Sequence, residues 1–449
     1  MGSIIFLPGI LGSALHLGTE EVWPPTPWEA QFGYDRIDKL VDPAVSAGKP
    51  IEAVLCFEFY GPILGDLADI ALGTVGAPQR SMHSFGYDWR VDIRDAAADI
   101  AGRIDALPDE DRAEIHLVGH SMGCLVLRLI LESGVYDDRG WLANVRTLVS
   151  IAGPHLGAPA ALIRVTGLEG SAGLAPADIK RIAADPRYPA LYQLLPAPGI
   201  AAVWNVRGGA IGELDLYDSE VAGALGLDEG NLARARAVHE ALGRGTRPTH
   251  VEYVYLAGSG SDTWLRVDLS GVRASGRMGK EAGDGTVPLW SAVDPKSIHH
   301  AAPGAHDRVF RNPQIRALIF RALGANPPGV PFASITGKPL LSLFASQTIY
   351  APTAQIDLTL VPAAPARPVA GELVIEHSDG STSPPLFRPI SRTSLSYAGA
   401  EAEQLKVRLG PLPRSGFYRV TFDGTHDTAP DGAALLGVSD AGGGAGGVR

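Results

Sequence analysis

The chain has 449 residues, of which 45% are apolar and 19% charged, and its formal net charge is −11. This composition is typical of a globular protein and excludes a disordered chain, and the length is sufficient for more than one domain. Because the balance is acidic and no large cluster of Lys and Arg occurs, nucleic acid and anionic membrane surfaces are excluded as main partners.

The N-terminus carries no pattern that marks the chain for export. An apolar strand pattern begins directly after Met1, without the basic segment and cleavage site of a signal peptide. No apolar run reaches membrane-spanning length. Cysteine is scarce, with only Cys56 and Cys124, which fits a reducing compartment. We therefore expect a cytoplasmic protein without a transmembrane segment.

The chain opens with a predicted strand and a glycine-containing loop. Residues 4–7 (IIFL) predict a buried strand, which ends in residues 8–13 (PGILGS). The two glycines of this loop allow a sharp turn and a close approach of the backbone to a ligand. In serine hydrolases a loop after an early strand donates one backbone N–H to the oxyanion, and Ile10 is the candidate donor here. An ordinary Pro-Gly turn is the alternative.

Residues 19–50 have an irregular pattern, with Trp23, Trp28, Phe32 and Tyr34 among several prolines. Two interpretations stay open for this stretch. It forms either a flexible lip over the functional site or a packed surface loop.

A helix, a strand and a second helix are predicted next. Residues 64–71 and 92–104 have helical spacing of apolar residues, and residues 80–85 between them predict a strand. At the corner between this strand and the second helix, Asp88 and Arg90 are close enough to form an ion pair. We expect this pair to hold the corner, with contact to substrate as the alternative.

The most informative pattern is a strand, a G-x-S-x-G turn and a helix in succession. Residues 115–118 predict the strand, residues 119–123 (GHSMG) the turn, and residues 124–131 the helix. This is the context of a nucleophile elbow, in which a strained turn exposes the serine and the glycines allow close helix packing. The helix N-terminus directs backbone N–H groups toward the reacting group. We predict Ser121 as the nucleophile and the Met122 amide as an oxyanion donor.

Further apolar strands are predicted at residues 146–151, 251–256 and 296–301. The alternation of apolar strands with helical patterns predicts a parallel α/β sheet. Residues 155–248 are helical and irregular, and we predict that they form an inserted cap that shapes an acyl pocket and excludes water. Residues 308–323 predict the closing helix.

The acid should follow the strand at residues 251–256, because α/β-hydrolases have the order serine, acid, histidine. Asp262, Asp268 and Asp284 all qualify by position. We favour Asp284, because its flanking glycines allow a tight turn and the apolar residues 287–289 would shield it from water. A plain Asp-Gly turn is the alternative.

The base should lie in the loop after the last strand. His299 and His300 fall within the predicted strand, where their rings would point to opposite faces, whereas His306 lies in the following loop. His120 is next to Ser121 in sequence and cannot reach the exposed face of the serine. We therefore predict His306 as the base.

The predicted mechanism is acyl transfer through a triad. His306 accepts the Ser121 proton as the hydroxyl attacks an ester carbonyl, and Asp284 orients the imidazole and stabilises its cation. The amides of Ile10 and Met122 stabilise the oxyanion, each by about 3 kcal/mol. No metal-binding motif occurs, and we expect neither a metal nor another cofactor.

These motifs together resemble those of the lecithin:cholesterol acyltransferase-like family of α/β-hydrolases, which includes lysosomal phospholipase A2. The matching segments, in the family order, are residues 8–13, 87–90 (YDWR), 119–123, 283–288 (GDGTVP) and His306. The resemblance implies an acyl-ester substrate, often a glycerophospholipid. It also implies a triad of Ser121, Asp284 and His306, with the Ile10 amide as an oxyanion donor.

The chain departs from this family in residues 19–50. Secreted members have an aromatic lipid-docking loop near the N-terminus that is closed by a disulfide, and this stretch has no cysteine. Peripheral contact with a membrane and phospholipid as the substrate therefore stay open.

From about Ser346 the apolar residues alternate at period two, with Gly, Pro, Ser and Asp between the runs. This pattern predicts a small antiparallel β-sandwich over residues 346–428. The Gly/Ala-rich residues 430–449 predict a disordered tail. Two roles stay open for the sandwich: recruitment of a surface, lipid or partner protein, or stabilisation of the chain.

The sequence thus predicts an α/β protein with an α/β-hydrolase fold over residues 1–330, its cap at about residues 155–248, and a small all-β sandwich after it. The predicted function is acyl-ester hydrolysis, as an esterase, lipase or phospholipase A, on a lipid or other acyl ester. O-acyl transfer from a lipid to an alcohol is one alternative, because water and alcohol compete for the same acyl-enzyme. A catalytically inactive hydrolase fold that serves as a binding module or scaffold is the other.

Overall fold

The computed structural model describes most of the chain, in ranges separated by short gaps. These are residues 2–26, 29, 33–54, 57–206, 211–271, 273–294, 297–327, 340–345, 349–362, 369–378, 387–400, 405–424, 429–430 and 433–438. The chain divides into two units, Met1–Ala292 with Pro303–Gly329 and Val293–Ala302 with Val330–Arg449. No helix in the described ranges combines the length and the apolarity needed to span a bilayer.

The longer, N-terminal part of the chain alternates strands with helices. Its strands are β1 (Gly2–Leu7), β2 (Ser13–Leu17), β3 (Glu20–Trp23), β4 (Val45–Pro50), β5 (Ala53–Val54), β6 (Phe57–Glu58), β7 (Arg80–Ser84), β8 (Ile115–His120), β9 (Val145–Ile151), β10 (Val203–Asn205), β11 (Gly212–Leu214), β12 (Glu252–Ser259), β13 (Ser261–Ser270), β14 (Arg273–Gly283) and β15 (Ile298–Pro303). Its helices are α1 (Ile37–Leu40), α2 (Gly61–Ala71), α3 (Ile93–Asp105), α4 (Asp109–Arg112), α5 (Met122–Glu132), α6 (Pro159–Val165), α7 (Pro176–Ala184), α8 (Ala190–Gln193), α9 (Ser219–Leu225), α10 (Glu229–Arg244), α11 (Leu289–Ala292) and α12 (Pro313–Ala322).

A six-stranded sheet forms the centre of this part, with the strand order β15-β12-β9-β8-β1-β7. The pairings of β1 with β7 and β8, of β8 with β9, and of β9 with β12 are all parallel. Strands β1 and β8 are buried along their whole length, as expected for apolar strands that are covered on both faces. The predicted fold class, an α/β-hydrolase fold around a parallel sheet, is confirmed.

Two helices of this part begin directly after a residue whose side chain caps the helix N-terminus. Helix α3 begins after Asp92, whose carboxylate accepts the Arg94 N–H at 3.0 Å. The closing helix α12 begins later than the predicted residue 308, after Asn312, whose side chain accepts the Gln314 N–H at 2.8 Å. The reason is Pro313, which disfavours helical backbone at the preceding residue but is well tolerated in the first turn.

Part of residues 19–50 is regular, which corrects the prediction of an irregular stretch. Strands β3 and β4 lie on either side of β2 in an antiparallel sheet. Trp23 and Tyr34 are buried, with ring centroids 5.9 Å apart, so these two aromatics are packed. The Trp23 indole N–H also donates to the Leu11 carbonyl at 2.8 Å, and this hydrogen bond stabilises the loop after β1. Trp28, Phe32 and Cys56 lie outside the described residues.

The predicted cap segment contains helices α6 to α10 and strands β10 and β11. These strands join the long hairpin β13–β14 in a four-stranded sheet of order β11-β10-β13-β14, which the sequence pattern does not indicate. The hairpin strands are hard to predict because many positions on both of their faces are only half-buried. Two register shifts also interrupt the pairing between them. A period-two alternation is therefore weak here.

Arg90 fixes the corner between β7 and α3, and its predicted pairing with Asp88 is confirmed. The buried guanidinium contacts the Asp88 carboxylate at 2.7 Å. It also donates to the carbonyls of Leu40 and Asp42, and it lies over the Tyr188 ring at 4.4 Å from the centroid. Arg90 therefore ties the corner to the chain before β4, which is a structural role.

The C-terminal part consists of strands arranged in two sheets, as the predicted all-β sandwich requires. They are β16 (Leu340–Ala345), β17 (Ile349–Tyr350), β18 (Ile356–Pro362), β19 (Val369–Ser378), β20 (Arg388–Tyr397), β21 (Leu405–Leu409), β22 (Gly416–Gly424), β23 (Ala429–Pro430) and β24 (Ala433–Val438). The sheet orders are β21-β18-β16-β23 and β17-β24-β22-β19-β20. Leu358, Leu373 and Phe422 belong to one apolar core that both sheets line.

The predicted boundaries of the sandwich and of the tail need one change each. Strand β16 begins before residue 346, and β24 lies beyond residue 430, where a disordered tail is predicted. Ala434, Leu436 and Val438 alternate at period two and are buried, so burial of this face outweighs the Gly/Ala-rich composition. Residues 439–449 lie outside the described part.

Buried histidines should make the N-terminal unit sensitive to acid. Burial lowers the pKa of His116, His155 and His239, and it lowers that of His120 to about 3. As the pH falls below 6.5, the unfolded chain takes up these protons before the folded chain does. The full stability is therefore present above pH 6.5, and it decreases as the pH falls from there to the folded pKa of each histidine. Each histidine should remove about 1.4 kcal/mol per pH unit from the free energy of unfolding.

Urea unfolding at pH 7.5 and 5.5 tests this expectation. Every tryptophan lies at or before Trp290, so tryptophan fluorescence reports this part of the chain. The midpoint should be clearly lower at pH 5.5. His239→Gln keeps a donor for the Leu195 carbonyl, which His239 contacts at 2.8 Å, and should make the pH dependence shallower. Equal midpoints at the two pH values would contradict the prediction.

Candidate active site

The G-x-S-x-G turn forms a strained strand-to-helix corner. Ser121 lies between β8 and α5 with φ 52° and ψ −124°, a conformation that costs free energy for a residue with a side chain. A Cβ on Gly119 would lie 2.9 Å from the Cys124 nitrogen, and one on Gly123 would lie 2.5 Å from the Pro8 carbonyl oxygen. Both glycines are therefore required by close packing, and the turn has the geometry of a nucleophile elbow.

Ser121, His306 and Asp284 are brought together by this fold. The His306 Nε2 atom lies 2.9 Å from the Ser121 Oγ atom, and the His306 Nδ1 atom lies 2.7 Å from Asp284 Oδ2. Because a carboxylate only accepts, His306 donates its Nδ1–H to Asp284, which leaves Nε2 to accept the serine proton. This is the arrangement of nucleophile, base and orienting acid that covalent acyl transfer needs.

Asp284 is held by the turn that follows β14. Its Oδ1 atom accepts the N–H groups of Thr286 and Val287 at 2.9 and 2.7 Å. The side chain is fully buried, and the His306 N–H donates to the Asp284 carbonyl at 2.9 Å. Two backbone donors and the imidazole therefore fix the carboxylate in one orientation.

The other candidates from the sequence lie elsewhere. Asp262 pairs with Lys280, and Asp268 accepts from Arg266 and Arg277 at 2.8 and 2.5 Å. Both aspartates therefore belong to ion pairs on the β13–β14 hairpin. His299 and His300 are buried in β15, and His299 Nδ1 donates to the Ser297 carbonyl at 2.7 Å.

The loop after β1 lies directly against the nucleophile. A Cβ on Gly9 would be 2.7 Å from the Ser121 Cβ, so only glycine fits at this position. The Gly9 and Gly12 amides donate to the Tyr60 hydroxyl and to the Gly9 carbonyl. Among the described residues no hydrogen-bond partner is assigned to the amides of Ile10 and Met122. These are the two amides that the sequence predicts as oxyanion donors.

Two further residues next to the triad are not indicated by the sequence. The Tyr60 hydroxyl lies 2.8 Å from His120 Nδ1, and His120 Nε2 lies 2.9 Å from the His306 carbonyl oxygen. Burial lowers the pKa of His120 to about 3 and raises that of Tyr60, so both side chains are neutral. The only sequence signal is that a histidine precedes the nucleophile, and nothing in the sequence marks Tyr60.

A second serine–histidine pair lies behind the elbow. Ser150 Oγ is 2.8 Å from His155 Nε2, and His155 Nδ1 accepts from Arg128 at 3.3 Å. Ser150 is fully buried, and the third partner is a cation rather than a carboxylate. This pair therefore lacks both access and an orienting acid. Cys124, also nearby, is a free buried thiol, and burial raises its pKa to about 12.

No group of at least three His, Cys, Asp or Glu side chains in the described ranges is arranged to hold a metal ion. The polar side-chain atoms of the triad residues instead form hydrogen bonds to one another and to backbone amides.

Comparison with known proteins gives one family match. Residues 67–205 match the family model described as lecithin:cholesterol acyltransferase, and no curated protein sequence matches the chain. These residues include β7, the Asp88–Arg90 corner and the complete elbow, but neither Asp284 nor His306. The match therefore supports acyl-ester hydrolysis or acyl transfer as the general class of chemistry.

The solved structures that match this chain have low sequence identity to it. A chain of the Tle4–Tli4 complex has a TM-score of 0.50 and 15% identity, over 70% of this chain and 96% of that chain. The mature lipase BlEst2 of Bacillus licheniformis has a TM-score of 0.37 and 12% identity, over 72% and 92% of the two chains. The lin2722 product of Listeria innocua has a TM-score of 0.30 and 12% identity, over 72% and 94%.

The family match covers two of the segments on which the predicted resemblance depends, residues 87–90 and 119–123. The predicted resemblance to the lecithin:cholesterol acyltransferase-like family of α/β-hydrolases is thereby confirmed over residues 67–205.

Proposed function

We propose that this protein is a serine acyl-ester hydrolase that acts through an acyl-enzyme on Ser121. The observation that carries the proposal is the continuous contact from the Ser121 hydroxyl to His306 at 2.9 Å and from His306 to Asp284 at 2.7 Å. Three residues from distant parts of the chain meet with the spacing that proton transfer requires.

The first half of the reaction forms the acyl-enzyme. Ser121 Oγ attacks the ester carbonyl, and its proton passes to His306 Nε2. The imidazolium then donates this proton to the departing alkoxide as the carbon–oxygen bond breaks, which leaves the acyl group on Ser121. Asp284 keeps Nδ1 protonated throughout, because its carboxylate is held in place by two backbone amides.

The oxyanion is assigned to the amides of Ile10 and Met122. The Met122 amide is at the N-terminus of α5, where the helix dipole favours negative charge, and the Ile10 amide is in the loop that lies against Ser121. Each donor should contribute about 3 kcal/mol to transition-state stabilisation.

The second half of the reaction transfers the acyl group to water or to an alcohol. His306 removes a proton from either acceptor as its oxygen attacks the acyl carbonyl, and the proton returns to Ser121. The family match over residues 67–205 favours O-acyl transfer to an alcohol as the second candidate function. The substrate, a lipid or another acyl ester, is a prediction, as are a cytoplasmic location and a role for the sandwich.

Activity assays with a panel of acyl esters test the proposal. Nitrophenyl esters of increasing chain length, phosphatidylcholine and lysophospholipid are each incubated with the full chain, with and without a long-chain alcohol. Release of free fatty acid supports hydrolysis, and formation of the alkyl ester at the expense of fatty acid supports acyl transfer.

A fluorophosphonate probe provides the independent readout, because it labels an activated serine without requiring the natural substrate. The wild type should be labelled, and its esterase activity should fall in proportion to the fraction of protein that carries the label. A wild type that neither reacts with the probe nor turns over any ester would overturn the proposal in favour of a catalytically inactive scaffold.

A further inference from the structure

Four polar groups form a continuous hydrogen-bonded chain beside the triad. The Gly9 amide donates to the Tyr60 hydroxyl at 2.9 Å, Tyr60 lies 2.8 Å from His120 Nδ1, and His120 Nε2 lies 2.9 Å from the His306 carbonyl oxygen. His306 contributes only its backbone carbonyl to this chain, so none of the four groups is the nucleophile, the basic ring nitrogen or the orienting acid. We refer to this chain of Gly9, Tyr60, His120 and His306 as the relay.

The acceptor at one end determines the direction of every bond in the relay. The His306 carbonyl only accepts, so His120 must carry its proton on Nε2. His120 Nδ1 is then an acceptor, and the Tyr60 hydroxyl donates to it. The remaining lone pair of Tyr60 receives the Gly9 N–H. One proton arrangement therefore satisfies all the groups, and no alternative direction is available.

The relay connects the two loops on which the reaction depends. Gly9 belongs to the loop that lies against Ser121, and His306 carries the base. The His306 N–H donates to the Asp284 carbonyl, so both backbone groups of His306 are held by neighbours of the active site. Because the Gly9 amide is taken by Tyr60, the next amide, that of Ile10, is the one left to serve an oxyanion.

The environment of the relay keeps it rigid and uncharged. Tyr60 and His120 are 1% and 3% exposed. The Tyr60 ring is packed edge-to-face on Phe6 at 5.2 Å, and Phe310 is packed edge-to-face on the His120 ring at 5.7 Å. Burial holds the pKa of His120 far below neutrality. A neutral donor suits this place, because the His120 and His306 ring centroids are 5.0 Å apart and a second cation there would oppose the imidazolium.

We propose that Tyr60 and His120 are positioning residues that hold the oxyanion loop and the catalytic-histidine loop in register around Ser121. This inference rests on the proposed function and extends it, because it assigns a part in the reaction to residues that do not touch substrate. A displaced loop lowers the rate of the chemical step more than it lowers affinity, since misplacement of about 1 Å can cost about 100-fold in rate.

Two single substitutions interrupt the relay at different links. Tyr60→Phe removes the hydroxyl and with it both of its hydrogen bonds. His120→Asn keeps an acceptor near the position of Nδ1 but is too short to reach the His306 carbonyl. Each should lower kcat by about 10- to 100-fold, while KM changes by less than about 3-fold.

The double variant distinguishes a relay from two separate structural contacts. If the residues act as one unit, interruption of either link has the full effect, and Tyr60→Phe with His120→Asn should be no slower than the slower single variant. Independent contributions to structure would multiply. A kcat of the double variant that equals the product of the single effects would overturn the inference.

His120→Gln provides the conservative comparison, because its amide nitrogen can occupy the position of Nε2 and donate to the His306 carbonyl. It should retain more kcat than His120→Asn, and the reverse order would overturn the inference. Tyr188→Phe provides the control for loss of a buried tyrosine hydroxyl, which donates to the Val41 carbonyl at 3.0 Å. This variant should lose stability but keep kcat.

The two proposals fail in different ways. A wild type that is labelled by the fluorophosphonate and turns over esters, with Tyr60→Phe and His120→Asn equally fast, overturns the relay alone. A wild type that shows neither reaction overturns the proposed function and the relay with it.

Discussion

Replacement of Ser121 by alanine is expected to abolish fluorophosphonate labelling and to lower kcat on the order of 10⁶-fold, to the background of the remaining site. Asp284→Asn should lower kcat on the order of 10⁴-fold, because the amide no longer selects the tautomer in which Nε2 of His306 accepts the serine proton. The measurements are single-turnover hydrolysis of a nitrophenyl ester and labelling of the full chain under the same conditions.

The chain itself offers matched controls for both substitutions. Ser150 forms an equally short contact with a histidine, at 2.8 Å, but is fully buried, so Ser150→Ala should keep the label. Asp268 is a buried aspartate with two cationic partners, and Asp268→Asn should keep kcat within a few-fold. Labelling that persists in Ser121→Ala but disappears in Ser150→Ala would show that the reactive serine is misassigned.

The second prediction with a large expected effect concerns the free energy of unfolding. Glu132 and Arg128 form a buried ion pair with two contacts of 2.8 and 2.7 Å, and Arg247 contacts Glu132 at 3.5 Å. Burial by itself lowers the pKa of Arg128, but hydrogen bonding to Glu132 and the Coulombic attraction of Glu132 and its neighbours together outweigh burial and raise this pKa. Glu132→Gln leaves this cation without its counter-charge, and the free energy of unfolding should fall by about 3–5 kcal/mol. Urea unfolding followed by tryptophan fluorescence measures it.

An exposed pair with the same helical spacing is the control. Asp99 and Arg103 lie one turn apart on α3, with side chains 59% and 37% exposed, and Asp99→Asn should cost only about 0.3–0.5 kcal/mol. The double variant Arg128→Met/Glu132→Leu should recover much of the loss, because it removes the unpaired charge. A cost of Glu132→Gln as small as that of Asp99→Asn would contradict the prediction.

The six strands of the central sheet are all predicted from the sequence. Most of them are short, largely apolar runs between turn residues, whereas the edge strand β7 is polar and half-buried. Such runs are local, and burial on both faces of a parallel sheet removes the need for any precise alternation. The hairpin β13–β14 and the sheet β3-β2-β4 are not predicted. Their strands are partly exposed and interrupted by register shifts, so their stability depends on pairing with distant residues rather than on a local pattern.

The elbow is predictable for a similar reason. Gly119, Ser121 and Gly123 lie within five residues, and the close contacts that require the two glycines are made by the adjoining helix and the first strand. The choice among Asp262, Asp268 and Asp284 is different, because all three follow β12 and precede the base. Only the Gly283–Val287 turn, which aims two backbone amides at Asp284, distinguishes that aspartate from the two in ion pairs.

The hydrogen-bond partners of His120 cannot be predicted from its neighbours in the sequence. The sequence correctly indicates that His120 does not contact the Ser121 hydroxyl, but its partners are Tyr60 and the carbonyl of His306, which lie 60 and 186 residues away. No pattern connects these positions. The contact exists because the starts of α2 and α5 and the loop after β15 meet at the same end of the sheet.

The sequence by itself determined the elements whose physics is local: apolar strands, the helix start at Asp92, and the glycine-flanked turn at Ser121. It also determined the order serine, aspartate, histidine along the chain. Tertiary structure alone decided which of several carboxylates and imidazoles converge, because Ser121 and His306 are 185 residues apart in sequence and 2.9 Å apart in space. Hydrogen bonds of that separation depend on how the helices pack against the sheet, and packing is a property of the whole chain.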